Sequence, residues 1–210
     1  MNILFFGDSI TWGAWDEDGG WVNRIKKIVD KKIISSNFEY YHDIYNVGIS
    51  GENTNDLLEI FDNETLSRVD GDNQTIFVFA IGVNDSQFVK GEGNRIPAEL
   101  FESNLRKLIT KARNHGDKII FVGLFPTDDS KTDPTIWDVN KSYKIEYVDQ
   151  YNKIIEKVCK DENLEFIDIY NKFIDKNYKE LLIDGLHPNT EGHKQISEII
   201  QKYLVDKKYI

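Results

Sequence analysis

Covalent staples and membrane spans are both missing from this sequence. It has one cysteine, one methionine and four prolines among 210 residues. A lone Cys159 excludes an internal disulfide. It sits in an amphipathic helical run, where a thiol acts as a small buried hydrophobe. No apolar stretch approaches the roughly 20 residues of a membrane helix, so no membrane insertion is expected. Met1 to Phe6 lacks the basic start and apolar length of a secretory leader, and a cytoplasmic protein is expected. Basic residues are in deficit, with 26 Lys and Arg against 36 Asp and Glu and a formal net charge of -10. That balance disfavours nonspecific binding to nucleic acid or anionic membranes. Neither Gly-x-Gly-x-x-Gly after the first strand nor a Gly-Lys-Ser/Thr loop is present, which removes the main sequence grounds for nucleotide binding. Repeats, low-complexity tracts and linkers are absent too. Residues 1–210 therefore read as one domain, long enough to bury a sizeable core.

What is present is an alternation of strands and helices. Hydrophobic residues make up 40% and aromatics 12%, which excludes disorder. Strands are expected over Asn2–Phe6, Tyr40–Val47, Thr75–Ile81, Lys118–Leu124 and Leu164–Ile169. The third is an unbroken apolar run, as suits a strand buried on both faces. Helices are expected over Gly20–Ile34, Thr54–Val69 with a break, Pro97 to Gly116, Ser142–Asn163 and Thr190–Leu204. Five strands separated by helices predict an α/β fold with a mostly parallel, doubly wound sheet.

Short polar motifs punctuate the strand ends. Gly7-Asp8-Ser9-Ile10-Thr11 follows the first strand, where an open α/β sheet presents residues to ligands. Gly7 gives freedom for a sharp exit and Asp8 a local hydrogen bond. Alone, the segment reads equally well as a helix cap. Asn46-Val47-Gly48-Ile49-Ser50-Gly51 closes the second strand, and Gly82-Val83-Asn84-Asp85 the third. Gly48 offers a backbone N–H and Asn84 a side-chain N–H, the donors that an oxyanion needs. Each is also an ordinary turn residue. Far downstream lies Asp184-Gly185-Leu186-His187-Pro188-Asn189. A serine hydroxyl needs a base, and the base needs a third group to fix its tautomer. One short turn brings Asp184 onto His187, although an isolated Asp-x-x-His is more often a plain helix-entry loop.

Together the four segments resemble the SGNH hydrolase family, the GDSL esterases and lipases, from Gly7 to His187 and in the family's order. The resemblance implies a three-layer sandwich with sheet order 2-1-3-4-5, as in flavodoxin. It implies that Ser9 is the nucleophile and first oxyanion donor, with Gly48 the second and Asn84 the third. His187 becomes the general base and Asp184 its orienting acid. The implied activity is hydrolysis of carboxylic esters, short acyl or acetyl esters favoured, with a small-molecule ester as partner and no cofactor or metal. Lysophospholipids, thioesters and acetylated carbohydrates are further substrates within the family. Ile10 stands where the family name has Leu, a like-sized exchange. The proline block is represented only by Phe125-Pro126-Thr127.

Segments 86–95 and 125–140 follow strand ends and are expected to form walls over Ser9. Phe88, Phe125 and Trp137 are the expected substrate contacts, with Trp12 and Trp15 beyond the nucleophile; local clustering under long loops is the plainer alternative. A zinc set of Asp184, His187, Glu191 and His193 matches no standard spacing. A noncatalytic doubly wound domain binding a nucleotide, flavin or phosphate is the alternative from another class.

Overall fold

In the computed structural model, residues 1–69, 73–116 and 118–210 are described. Period-two alternation in the central strands builds the architecture. Strands β1 (Asn2–Gly7), β2 (Asp43–Gly48) and β3 (Thr75–Ala80) alternate with α1 (Ser9–Trp12), α2 (Gly20–Ser35) and α3 (Thr54–Leu66). Two short strands follow, β4 (Phe88–Val89) and β5 (Gly93–Asn94), then α4 (Ala98–Ala112) and β6 (Lys118–Val122). The chain continues through α5 (Asp129–Thr132), β7 (Lys141–Ser142), α6 (Ile145–Asp161), β8 (Glu165–Ile167), α7 (Tyr170–Ile174) and α8 (Thr190–Asp206).

The main sheet has five strands in the order β2-β1-β3-β6-β8. All four pairings are parallel. This is the flavodoxin-like order expected above. Leu4, Phe6, Phe77, Phe79 and Phe121 face one side and pack on Leu57 and Phe61 of α3, Leu105 of α4 and Tyr151 and Ile155 of α6. Ile3, Phe5, Ile76, Val78 and Ile120 face the other and meet Trp21 and Ile25 of α2 and Ile196 and Ile200 of α8. Each such side chain, fully buried, contributes roughly 1.5–3 kcal/mol, so the two cores hold the layers together. The chain adds β2 outside β1, then crosses to start β3 on the opposite side. The order reverses between β1 and β3, which opens a crevice at their carboxyl ends.

Several boundaries differ from expectation. Residues 40–42 lie outside β2, and so does His42: the Tyr40 N–H donates to Ser36 Oγ at 3.0 Å, which keeps this segment on the end of α2. The expected break in α3 is absent. A capping box of Asn53 and Asp56 starts that helix and it runs unbroken to Leu66. Helix α6 begins at Ile145, because Ser142 pairs with Phe88 in a second, antiparallel sheet ordered β5-β4-β7. That small sheet ties the first expected wall, 86–95, to Lys141–Ser142, just past the end of the second, 125–140. Among the described residues, no helix is long and apolar enough to cross a membrane.

Candidate active site

Ser9 stands at the mouth of the crevice because β1 ends against α1. Gly7 is required there for close approach: a Cβ would fall 2.2 Å from Thr11 Oγ1 and 2.3 Å from the Ala80 carbonyl. That reason differs from the expected freedom to turn. Asp8 caps α1, its carboxylate accepting the Ile10 N–H at 2.9 Å. Burial pushes the Asp8 carboxyl up to about 7. Ser9 is 5% exposed, held by this capped turn.

Ser9 Oγ lies 2.9 Å from His187 Nε2. His187 Nδ1 lies 2.7 Å from Asp184 Oδ2. A carboxylate only accepts, so Nδ1 carries the proton and Nε2 is left to accept from the serine hydroxyl. The loop builds this pair locally. Asp184 Oδ1 accepts the backbone N–H groups of Leu186 at 2.9 Å and His187 at 2.8 Å. Burial works against ionisation of Asp184, but the imidazole and those N–H groups outweigh it and hold the carboxyl at about 2. The loop is anchored at both ends: the Ile183 N–H donates to the His187 carbonyl at 2.9 Å, and the Asp128 N–H to the Gly185 carbonyl at 2.8 Å.

Asn84 follows β3 across the crevice. Its Nδ2 donates to the Glu52 carbonyl at 2.9 Å, and its Oδ1 accepts from the Tyr143 hydroxyl at 2.9 Å. One side-chain N–H is left over. Asp85 beneath it accepts the Thr54 N–H at 3.0 Å, tying this loop to the start of α3. Gly48 stands differently from expectation. Its N–H donates to Asn46 Oδ1 at 3.0 Å, so that donor is already engaged. A Cβ at Gly48 would lie 2.4 Å from the Trp12 nitrogen, so glycine is needed there to let β2 pack against α1. Three residues on, the Gly51 N–H has no acceptor among the described residues. The next residue is Glu52, whose carbonyl holds the Asn84 amide.

The aromatic residues divide. Trp15, 59% exposed, sets its edge against the His187 ring with centroids 5.7 Å apart. Trp137, 49% exposed, lies 6.5 Å from the ring of Tyr143. Trp12 is exposed beside Gly19 and Asn23, over the junction of α2 and β2. Phe88 stacks on Tyr147 at 5.8 Å. Phe125 is buried against Phe173 at 4.7 Å in the core shared with α8, where it also lines a small cavity with Asp8, Ile10 and Thr11. The zinc alternative has no geometric basis: His193 Nε2 meets the Ala14 carbonyl at 3.1 Å, while Glu191 accepts from Gln195 at 3.0 Å. Sequence reasoning missed Tyr143 and Glu52, since a tyrosine before a helix and a glutamate in a turn carry no motif.

The sequence matches the GDSL-like lipase/acylhydrolase family over residues 5–195, and the chain belongs to that family. No curated protein matches it by sequence. A lipase/acylhydrolase from Enterococcus faecalis shares 23% identity and superposes with a TM-score of 0.74, covering 98% of this chain and 96% of its own. An acetyl xylan esterase shares 22% identity, with a TM-score of 0.74, covering 97% of this chain and 100% of its own. A catalytic mutant of an acetylxylan esterase from Geobacillus stearothermophilus shares 20% identity, with a TM-score of 0.71, covering 96% of this chain and 92% of its own.

Proposed function

We propose that the protein is a serine esterase that cleaves small carboxylic esters through an acyl-enzyme on Ser9. The observation that carries this reading is the hydrogen-bonded line from Asp184 Oδ2 through His187 to Ser9 Oγ, at 2.7 and 2.9 Å. His187 Nε2 takes the hydroxyl proton as Ser9 Oγ bonds to the acyl carbon. Asp184 stabilises the imidazolium that forms. The carbonyl oxygen becomes an anion, received by the Ser9 N–H in the first turn of α1, where helix N–H groups lack intrahelical acceptors. The free Asn84 N–H is the second donor. The engagement of the Gly48 N–H by Asn46 favours the Gly51 N–H as the third. His187 then gives its proton to the leaving alkoxide, the alcohol departs, and the acyl group stays on Ser9. Water repeats the sequence: His187 takes its proton, the hydroxide adds to the acyl carbon, and the proton returns to Ser9 Oγ as the acid leaves.

Small acyl groups fit because the cavity behind Ser9, lined by Asp8, Ile10, Thr11 and Phe125 among others, is small and Phe125 is held in the core against Phe173. The exposed rings of Trp15 and Trp137 face solvent at the site's edge, and stacking on a sugar suits such rings. Since two of the similar solved structures are acetylxylan esterases, acetylated saccharides are the natural-substrate class to assay first. The test is hydrolysis of a p-nitrophenyl ester series, from acetate to long acyl chains, by wild type and Ser9→Ala. Turnover is expected to be highest on acetate and lost in the variant. A folded wild type inactive on every chain length, or an active Ser9→Ala, would refute the reading.

A further inference from the structure

Tyr143 is 5% exposed and lies in the segment between β7 and α6, outside every motif above and far in sequence from Ser9, Asn84 and His187. Its hydroxyl donates to Asn84 Oδ1 at 2.9 Å. The opposite end of that amide donates to the Glu52 carbonyl at 2.9 Å. These two partners are chemically distinct: the Glu52 carbonyl only accepts, whereas the Tyr143 hydroxyl carries a proton to donate. Turning the amide over would set Asn84 oxygen against the Glu52 carbonyl oxygen and leave both without a donor. Of the amide's polar groups, one N–H then remains uncommitted, and its direction is fixed by the other two.

We propose that Tyr143 is a positioning residue for ester hydrolysis, its hydroxyl locking the Asn84 amide so that the free N–H stays aimed at the oxyanion. This rests on the serine-esterase reading of the same site. The small sheet explains how a distant tyrosine arrives there. Phe88 pairs with Ser142 and Val89 with Lys141, so the chain after Asn84 is zipped to the chain before Tyr143. Thr132 fastens the tyrosine backbone twice: its carbonyl accepts the Tyr143 N–H at 3.0 Å, and its hydroxyl donates to the Tyr143 carbonyl at 2.7 Å. The Trp137 ring lies beside that of Tyr143, tilted, with centroids 6.5 Å apart. Burial, with the nearby Asp8 carboxyl, pushes the phenol well above its ordinary value, so it keeps the proton it donates. Preorganised donors need no rearrangement as charge develops, which is what such a lock supplies.

The experiment is steady-state kinetics on p-nitrophenyl acetate with Ser9→Ala, Asn84→Ala, Tyr143→Phe and the Asn84→Ala/Tyr143→Phe double variant. Asn84→Ala is expected to lower kcat by about 10²–10³. Tyr143→Phe, losing one neutral hydrogen bond, is expected to lower kcat about tenfold with KM little changed. The double variant is expected to be no slower than Asn84→Ala, because an amide that is gone has nothing left to orient. Unchanged kcat in Tyr143→Phe would overturn the proposal, as would a double variant about tenfold slower than Asn84→Ala. If Tyr143→Phe does not fold, side-chain nitrogen relaxation of Asn84 in the wild type decides: an order parameter as high as that of rigid backbone, ~0.85, supports the lock and one below ~0.6 refutes it. An active Ser9→Ala would instead bring down the esterase reading itself.

Discussion

Asp184 does two jobs with one carboxylate, and at the residue scale that division carries the site. Oδ1 accepts the backbone N–H groups of Leu186 and His187, which shapes the loop, while Oδ2 accepts from the imidazole. Replacing the carboxylate by an amide keeps the shape and spoils the second contact, since the amide nitrogen offers a proton where Nδ1–H needs an acceptor. Asp184→Asn is therefore expected to lower kcat about 10⁴-fold while the fold survives, measured on p-nitrophenyl acetate together with circular dichroism. A loss of less than about tenfold would mean that His187 does not depend on Asp184 for its tautomer. Ser9 and Asn84 could be singled out in the sequence because each sits in a short motif at a strand end, and His187 because Asp184-Gly185-Leu186-His187 is a short motif before the last helix. Gly48 was legible as a glycine but not as to its reason. Close packing on Trp12 and a free donor both select glycine, and only the contact with Asn46 separates them.

At the scale of elements, His187 depends on the helix that follows it. Asn189 caps α8, accepting the Gly192 N–H at 3.0 Å and donating through Nδ2 to the Glu180 carbonyl at 2.8 Å. Its own N–H reaches the Leu181 carbonyl at 2.7 Å, so the loop carrying His187 is closed at Asn189. Asn189→Ala is expected to cost about 1 kcal/mol in urea unfolding, read as a lower midpoint with unchanged slope. Turnover should fall as well, by less than in Asp184→Asn. An unchanged midpoint would contradict the capping role. The five main strands and five long helices were legible because their apolar periods are long and regular. The small sheet was not, since its strands are two residues each and carry no period. The position of Tyr143 on Asn84 follows from that sheet and was equally hidden.

For the whole molecule, buried acids set the pH response. Burial pushes Asp8 to about 7 and Asp85 to about 6. Burial also raises Glu52 to about 8, helped by the charges of Asp56 and Asp8, and its Oε2 has no hydrogen-bond partner among the described residues. In the unfolded chain these carboxyls titrate at about 4. Between about pH 4 and pH 8 the folded protein therefore holds protons that the unfolded chain has released, and stability falls as pH rises. Asp184, held at about 2, acts in the opposite sense: its contribution is present above its ordinary value and is lost as pH falls towards 2. His193, lowered by burial, also favours the folded state less once acid protonates the unfolded chain. The expected profile is a Tm that declines from about pH 5 to about pH 8, with Glu52→Gln flattening the decline and raising Tm at its alkaline end. A Tm that rises across that window, or a variant with the wild-type slope, would contradict it. The sheet order was legible only through the resemblance to a known family, since local patterns name strands without saying which neighbours which.

The central claim is that Ser9 is the nucleophile. The most direct measurement is to treat the folded protein with a fluorophosphonate, which phosphonylates an activated serine with loss of fluoride, and to locate the adduct by mass spectrometry. One adduct on the peptide carrying Ser9, absent from Ser9→Ala and slowed in His187→Ala, is the predicted result. No adduct on the folded protein, or an adduct on another residue that persists in Ser9→Ala, would contradict the account.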